Sequence, residues 1–364
     1  MSWTVGSKDA NYHMEHTDPS LMDIESAVDP PEIPKVHAFF VTVVGGFEDI
    51  ALREIKAQLT GVSDLTVEKR ARRGRIHFTY RQSPKKLLGL KNVEGVYASL
   101  KRFGGITTGR PGLIRIAEVV SSVDLTPGIV LYNILHGEPE VSGVAVNCTV
   151  GRGHRFTSSE LHQLIRYALA ETYDLDETEQ NGPYYLQVRV EGKQGVVGLR
   201  LSERGEARPR QCLSIPTIRC LGDWIKPEAG SIWLDAVCQD GALTRTWADV
   251  YGIRPVAIDT ELSVFDRGGP EAIWGGARLP FADDSVDGVF ANLSRRREIR
   301  PDERLGRELS RVLTHHGRVV LMMDRNRDFE ATCSSGTIPF RCSERKSVQF
   351  SGDDLVLYHL RRAK

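Results

Sequence analysis

The stretch S-I-W-L-D-A-V-C-Q-D-G-A-L, residues 231–243, decides how the chain is read. Its short apolar run, Ile232-Trp233-Leu234, reaches an acid, Asp235. Cys238 and Gly241 follow, and a helical segment opens at Ala242. A buried strand that ends in Asp and turns through Gly into a helix is the first β-α unit of a doubly wound sheet. In such sheets ligands bind beyond the carboxyl ends of the strands. R-P-V-A-I-D (254–259) supplies the second strand, again apolar and again ending in an acid. Asp259 then stands where the hydroxyls of a nucleoside ribose are usually held. The plain alternative is an α/β unit without a ligand, in which Asp235 and Asp259 cap the turns of an unoccupied sheet.

At 364 residues the chain is long enough for two or three domains. Its 40% hydrophobic and 26% charged content is that of a soluble globular protein. No apolar run approaches the roughly eighteen residues of a membrane span, and the opening M-S-W-T-V-G-S-K-D-A lacks the order of a secretory signal. Six cysteines without a Cys-x-x-Cys pair argue against a zinc site and for reduced thiols in a cytoplasmic setting. The net charge of zero hides an asymmetry. In residues 1–34, Lys8 stands against Asp9, Glu15, Asp18, Asp23, Glu25, Asp29 and Glu32, so the leader carries −6 and the body +6. An acidic leader on a basic body suits a nucleic-acid partner.

Residues 1–34, without sustained periodicity and broken by Pro19, Pro30, Pro31 and Pro34, read as a disordered acidic leader. A module over 35–140 follows. Its expected elements are a strand His37–Val44, a turn at Gly45-Gly46, a helix Phe47–Leu59 and a strand Arg75–Tyr80 fed by the basic turn from Lys69. Leu87, Leu88, Leu90, Val93 and Val96 predict an amphipathic helix over 85–97, and residues 114–135 a further helical stretch broken at Pro127-Gly128. Residues 141–210 repeat the alternation. A strand over 141–150 leads through the basic loop G-R-G-H-R-F (151–156) to a helix capped by Thr157 or Ser158. Tyr184–Val190 and Gly195–Leu201 then read as a hairpin, and the polar segment 203–210 as a linker to a last domain over 211–364.

At V-N-C-T-V-G-R-G-H-R-F-T-S-S-E (146–160) and G-V-V-G-L-R-L-S (195–202) the middle module resembles a THUMP domain, and F-V-T-V-V-G-G-F-E-D-I-A-L-R-E-I (40–55) resembles the ferredoxin-like partner that precedes it. With the carboxy-terminal part, the chain from about residue 36 onward resembles the THUMP-containing RNA methyltransferases, which make N2-methylguanosine in tRNA. The resemblance implies an α/β protein: a Rossmann-like methyltransferase domain preceded by ferredoxin-like and THUMP modules. It also implies S-adenosylmethionine as cofactor. By the same resemblance Asp235, Cys238 and Gly241 belong to the motif around the methionine part and Asp259 holds the ribose. The carbonyl of Asn292 would then accept from the guanine amine, a base taken out of its stack.

The chain departs from the family pattern at identifiable positions. Ala236 replaces a proline and Gln239 a glycine in the first motif. A Gln there costs about 1 kcal/mol if the turn needs positive φ. Asp240 adds an acid to the same loop. Aligned on Leu279-Pro280, the adenine-binding acid falls on Gly275, and the short, Gly-interrupted stretch from Asp259 to Trp274 predicts a trimmed sheet. In the fourth motif Ser294 stands at the proline and Arg295 at the aromatic. An Arg plane can stack on a base, but its charge would repel a sulfonium.

Four basic clusters are candidates for RNA phosphates: Arg70, Arg72, Arg73 and Arg75 with Lys69; Arg152 and Arg155 around His154; Arg200, Arg204, Arg208 and Arg210; and Arg295 to Arg297 with Arg300. His315-His316 reads as a helix cap and Cys238 as a buried thiol. Two functions therefore follow. One is a methyltransferase acting on tRNA, with room for a partner protein and no membrane or metal. The other is an inactive relative that binds tRNA or scaffolds a partner.

Overall fold

The computed structural model describes residues 36–69, 73–140, 143–170, 173, 182–205, 212–259, 272–273, 278–294, 302–350 and 352–363. The expected leader, Arg70, Arg72, Arg208 and Arg295 lie outside these residues.

The first half begins with β1 (Ala38–Val44), α1 (Glu48–Gln58), β2 (Ser63–Glu68) and β3 (Arg73–Thr79). After β4 (Gly95–Gly104) come α2 (Arg110–Ser121), α3 (Thr126–His136), β5 (Val144–Val150), α4 (Ser158–Leu169), β6 (Tyr184–Glu191) and β7 (Gln194–Arg200). All seven strands form one sheet, ordered β2-β3-β1-β4-β7-β6-β5. The antiparallel pairing of β4 with β7 carries that sheet across from the first strands to the 144–200 hairpin region. Every second residue of β1 and β6 is apolar and buried against the helices, among them Phe39, Val41, Leu186 and Val188. Thr157 caps α4: its hydroxyl accepts from the Glu160 N–H (3.1 Å), and the Glu160 carboxylate accepts in return from the Thr157 N–H (2.7 Å).

The helix expected over 85–97 does not form. Pro84–Gly89 makes a 3-10 turn, and β4 starts at Gly95. Gly89 and Gly95 each disfavour a helix by about 1 kcal/mol. From Gly95 onward the residues alternate, with Val96 and Ala98 entering the helix-covered core and Tyr97 the opposite face. β2 went unforeseen because it is a polar edge strand with little buried surface.

The second half opens with α5 (Ile215–Ile225), β8 (Ile232–Asp235), α6 (Ala242–Tyr251), β9 (Arg254–Asp259), β10 (Ala272–Ile273) and β11 (Val286–Asn292). It ends with α7 (Glu303–Val312), β12 (Leu313–Asp324), α8 (Arg327–Ser335), β13 (Phe340–Phe350) and β14 (Asp353–Arg362). Their order is β10-β9-β8-β11-β12-β14-β13. The first five positions are parallel, and β14 and β13 add an antiparallel hairpin at the edge. The sheet keeps seven strands, so the trimming expected from the short stretch after Asp259 amounts to the two-residue β10. His315 and His316 do not cap a helix. α7 stops at Val312, and both histidines lie within β12.

The two sheets meet at α5. Ser214 caps this helix and, with Thr217, donates to the Glu94 carboxylate just before β4. Asp223 accepts from Asn92 (2.7 Å) and from Tyr251 of α6 (2.7 Å). A second joint lies at Gly45-Gly46, where the Gln349 N–H of β13 donates to the Gly45 carbonyl (2.9 Å) and Lys346 pairs with Asp49 (2.9 Å). Gly46 has φ +99°, and a Cβ there would sit 2.1 Å from the Ser347 carbonyl oxygen. Gly46→Ala should therefore cost at least about 3 kcal/mol of stability in denaturant unfolding. Gly336→Ala, at φ +74° with open space around it, should cost only about 1 kcal/mol. Equal losses would mean that the joint is not tightly packed.

Candidate cofactor and active site

The turn from β8 to α6 gathers the acids that the sequence singled out. Asp235 ends β8 and is 3% exposed. Its Oδ2 accepts from the Thr244 hydroxyl (3.1 Å) in α6, while its Oδ1 is buried with no close hydrogen-bond partner among the described residues. Burial pushes this carboxyl up to about 7 against the Thr244 hydroxyl and, more weakly, the Val237 backbone N–H, which lower it, and the nearby Asp259 charge adds to the rise. The Cys238 N–H donates to the Ile258 carbonyl (3.1 Å), and burial raises its thiol so far that it stays protonated.

Gln239 has φ +52°, the left-handed conformation for which the missing glycine would be suited. Its N–H donates to Asp259 Oδ2 (2.8 Å), so the carboxylate expected to hold a ribose also fastens the first loop to the tip of β9. Gly241, at φ +68°, caps α6, and its N–H closes the turn on the Cys238 carbonyl (2.8 Å). The Asp240 side chain accepts from the Ala242 N–H (3.2 Å) at the same helix start.

Asn292 ends β11, the strand beside β8, two residues beyond Phe290, which pairs with Asp235. It is 3% exposed. Its Oδ1 accepts from both the N–H (3.2 Å) and the hydroxyl (2.7 Å) of Ser294. Its Nδ2 is buried without a partner among the described residues. Two adjacent strands thus end in an unused acceptor, Asp235 Oδ1, and an unused donor, Asn292 Nδ2. Each costs about 1–3 kcal/mol if nothing fills it.

The sequence reading overlooked three residues: Thr244, which bonds Asp235, and Glu308 and Arg311 of α7, which hold the segment leading into β11. Glu308 Oε1 accepts from the Leu279 N–H (2.7 Å). Arg311 donates to the carbonyls of Leu279 (3.1 Å) and Phe281 (2.8 Å) and pairs with Glu308 and Asp283. The Arg311 bond holds the Glu308 carboxyl below its ordinary range. Together they tie the Leu279-Pro280 segment to α7. The three-residue spacing of Glu308 and Arg311 on one helix face was the available signal.

Among the RNA candidates, Arg73, Arg152 and Arg155 are exposed. The Arg155 N–H donates to the Thr108 carbonyl (2.7 Å), fixing the 151–156 loop beside the start of α2. Arg75 is buried instead, 2.8 Å from Glu68. It lines a cleft of about 280 Å³ with His77, Arg102 and Glu68 on the sheet face where Phe40 stacks on Tyr97 at 4.7 Å. Arg200 lies over Tyr97 and Arg204 over Tyr185. Among the described residues no group of three or more His, Cys, Asp or Glu side chains could hold a metal, and no helix is long and apolar enough to cross a membrane.

The Asp235 shift sets a pH signature. Its folded-state value near 7 lies above the ordinary 3.8, so the folded protein holds that proton more tightly than the unfolded chain. The cost of burying the charge grows as pH rises from about 4 to 7 and then levels off. Asp235→Asn should stabilise the protein by up to about 4 kcal/mol at pH 8, with the gain shrinking steadily toward pH 4. Urea unfolding across that range checks it, and a pH-independent difference would remove the assignment.

Comparison with known proteins finds no matching family model and no matching curated protein. Solved structures do match. TrmN from Thermus thermophilus aligns over 90% of this chain and 99% of its own, with 18% identity and a TM-score of 0.60. SMU.472, a candidate methyltransferase solved with SAH, aligns over 90% and 98%, with 10% identity and a TM-score of 0.59. A possible methylase from Clostridium difficile 630 aligns over 90% and 98%, with 12% identity and a TM-score of 0.56. At these identities the likeness is one of fold: the chain has a methyltransferase-type α/β architecture preceded by an α+β half, and shares both with these structures.

Proposed function

We propose that the chain is an S-adenosylmethionine-dependent methyltransferase of the THUMP type acting on RNA, with guanosine N2 in tRNA as its target. One observation carries the reading: at the tip of the β8 strand the buried Asp235 carboxylate keeps an acceptor, Oδ1, that no close hydrogen bond among the described residues uses. An ammonium group such as that of the cofactor's methionine part supplies both the charge and the donor that this oxygen needs. When bound, the cofactor supplies an already activated methyl group. The chain's own task is then placement. Asp235 and the 238–241 turn hold the amino-acid end, Asp259 lies at the ribose position, and Asn292 orients the base, so that catalysis rests on alignment. The THUMP-like region over 141–210 and the exposed Arg73, Arg152 and Arg155 are proposed to hold RNA, and a partner protein is compatible with this layout.

A second reading, an inactive RNA-binding scaffold, is favoured by Gln239. It puts a side chain, at a left-handed φ of +52°, into the loop where the family pattern has a glycine. Calorimetric titration with S-adenosylmethionine separates the two. The enzyme reading expects saturable heat, and none at millimolar ligand would leave the scaffold. The RNA half is tested by tRNA gel shifts at several salt concentrations. Replacing Arg152 and Arg155 together with alanine should weaken binding and flatten the dependence of log K on log salt by about one to two units. An unchanged slope would remove these residues from the interface.

A further inference from the structure

We propose that Ser294 fixes the polarity of the Asn292 amide, so that Asn292 presents its NH2 group to the substrate base and reads an acceptor atom there rather than an exocyclic amine. This deepens the proposed function and rests on its placement of the base at the tip of β11. The orientation of an amide is settled by what faces it. Here a backbone N–H, which can only donate, lies 3.2 Å from one end of the side chain, and the Ser294 hydroxyl lies 2.7 Å from the same atom. That atom must be the carbonyl oxygen, because an NH2 group in its place would face the N–H donor to donor. The two contacts also use both lone pairs of Oδ1, leaving it no capacity for a further amine. The capacity that remains is on Nδ2, buried and unpartnered among the described residues. A donor at this position selects a ring imine nitrogen or a carbonyl oxygen on the base edge. For guanine, N3 qualifies: it is bonded to the carbon that bears the exocyclic amine, so a hydrogen bond to N3 places the amine near the reacting position without engaging its protons. Ser294 is then a positioning residue, acting only through Asn292.

GMP and IMP differ only in the exocyclic amine, so their ratio of affinities reads the polarity of the site. They are titrated by calorimetry into the full-length protein saturated with S-adenosylhomocysteine. The inference expects GMP and IMP to bind within about twofold of each other. Asn292→Asp should weaken both at least tenfold while S-adenosylhomocysteine binding persists. Should Asn292→Asp not fold, Ser294→Ala and Ser294→Pro provide the second arm. Proline removes both donors to Oδ1 and frees the amide to turn, so GMP should gain at least fivefold over IMP, with alanine intermediate. A merely structural role for Ser294 would move both nucleotides together and leave the ratio unchanged, which would overturn the inference. So would a wild-type protein that prefers GMP to IMP tenfold or more, or that binds neither. Failure to bind S-adenosylhomocysteine strikes the proposed function instead. The two nucleotides are then titrated into the protein alone and judged by the same ratio.

Discussion

Both halves of the molecule depend on one helix that has little free surface. α5 buries Ile218, Cys220, Leu221 and Ile225, and a single apolar cluster runs through it from Phe39 of the first sheet to Trp233, Trp247 and Leu357 of the second. Its polar groups serve the same end. Asp223 accepts from Asn92 on one side and Tyr251 on the other, while the Cys220 thiol reaches the Asn92 carbonyl. Hydrogen bonds to a charged carboxylate are worth about 1.5–3 kcal/mol each and are costly to leave half made. A hinge at this position would have to break them and split a shared core. The first sheet and the strand tips of the second therefore keep a fixed relation, as a protein must if it holds a large substrate with one half and aligns a base in the other.

The strand tips show what the fold gives up for that alignment. Cores ordinarily satisfy their polar groups, yet among the described residues β8 and β11 end in a buried acceptor and a buried donor with no close partners. Gln239 adds a strained backbone in the turn after β8, held in place by Asp259 at the end of β9. Such costs gathered within one turn and two neighbouring strand ends are those of a site shaped for a ligand, because stability alone would have removed each of them.

Much of this was legible before any coordinates. Strand ends follow from apolar runs, so the positions of Asp235, Asp259 and Asn292 at the tips of β8, β9 and β11 could be read directly. Helix caps are local too: the pattern narrowed the start of α4 to Thr157 or Ser158, and Thr157 is the cap. Segments whose pattern is ambiguous went astray. Leu87 to Val96 satisfies a helical spacing, yet it straddles a 3-10 turn and the start of β4, because β4 is held by cross-strand pairing that no local window contains. β13 carries so many charges along its exposed edge that its alternation is concealed. In the site, the residue types were visible but the polarity of Asn292 was not. That depends on where two atoms of Ser294 point, and a serine in a sequence reads as neutral.

The basic clusters show a related limit. Counting arginines in the sequence treats each as a charge offered to a phosphate, but the fold divides them. Arg75 and Arg189 point their guanidinium groups at Glu68 and Glu191 in a network whose members are mostly sheltered from solvent. Paired and sheltered charges feel little of the surrounding salt and contribute little to the release of counterions on which phosphate binding depends. Arg73, Arg152 and Arg155 lie outside that network on exposed surface and keep their charge available. If the first half holds RNA, its salt sensitivity originates in exposed cations such as these, and the interior arginines serve to brace the sheet that carries them.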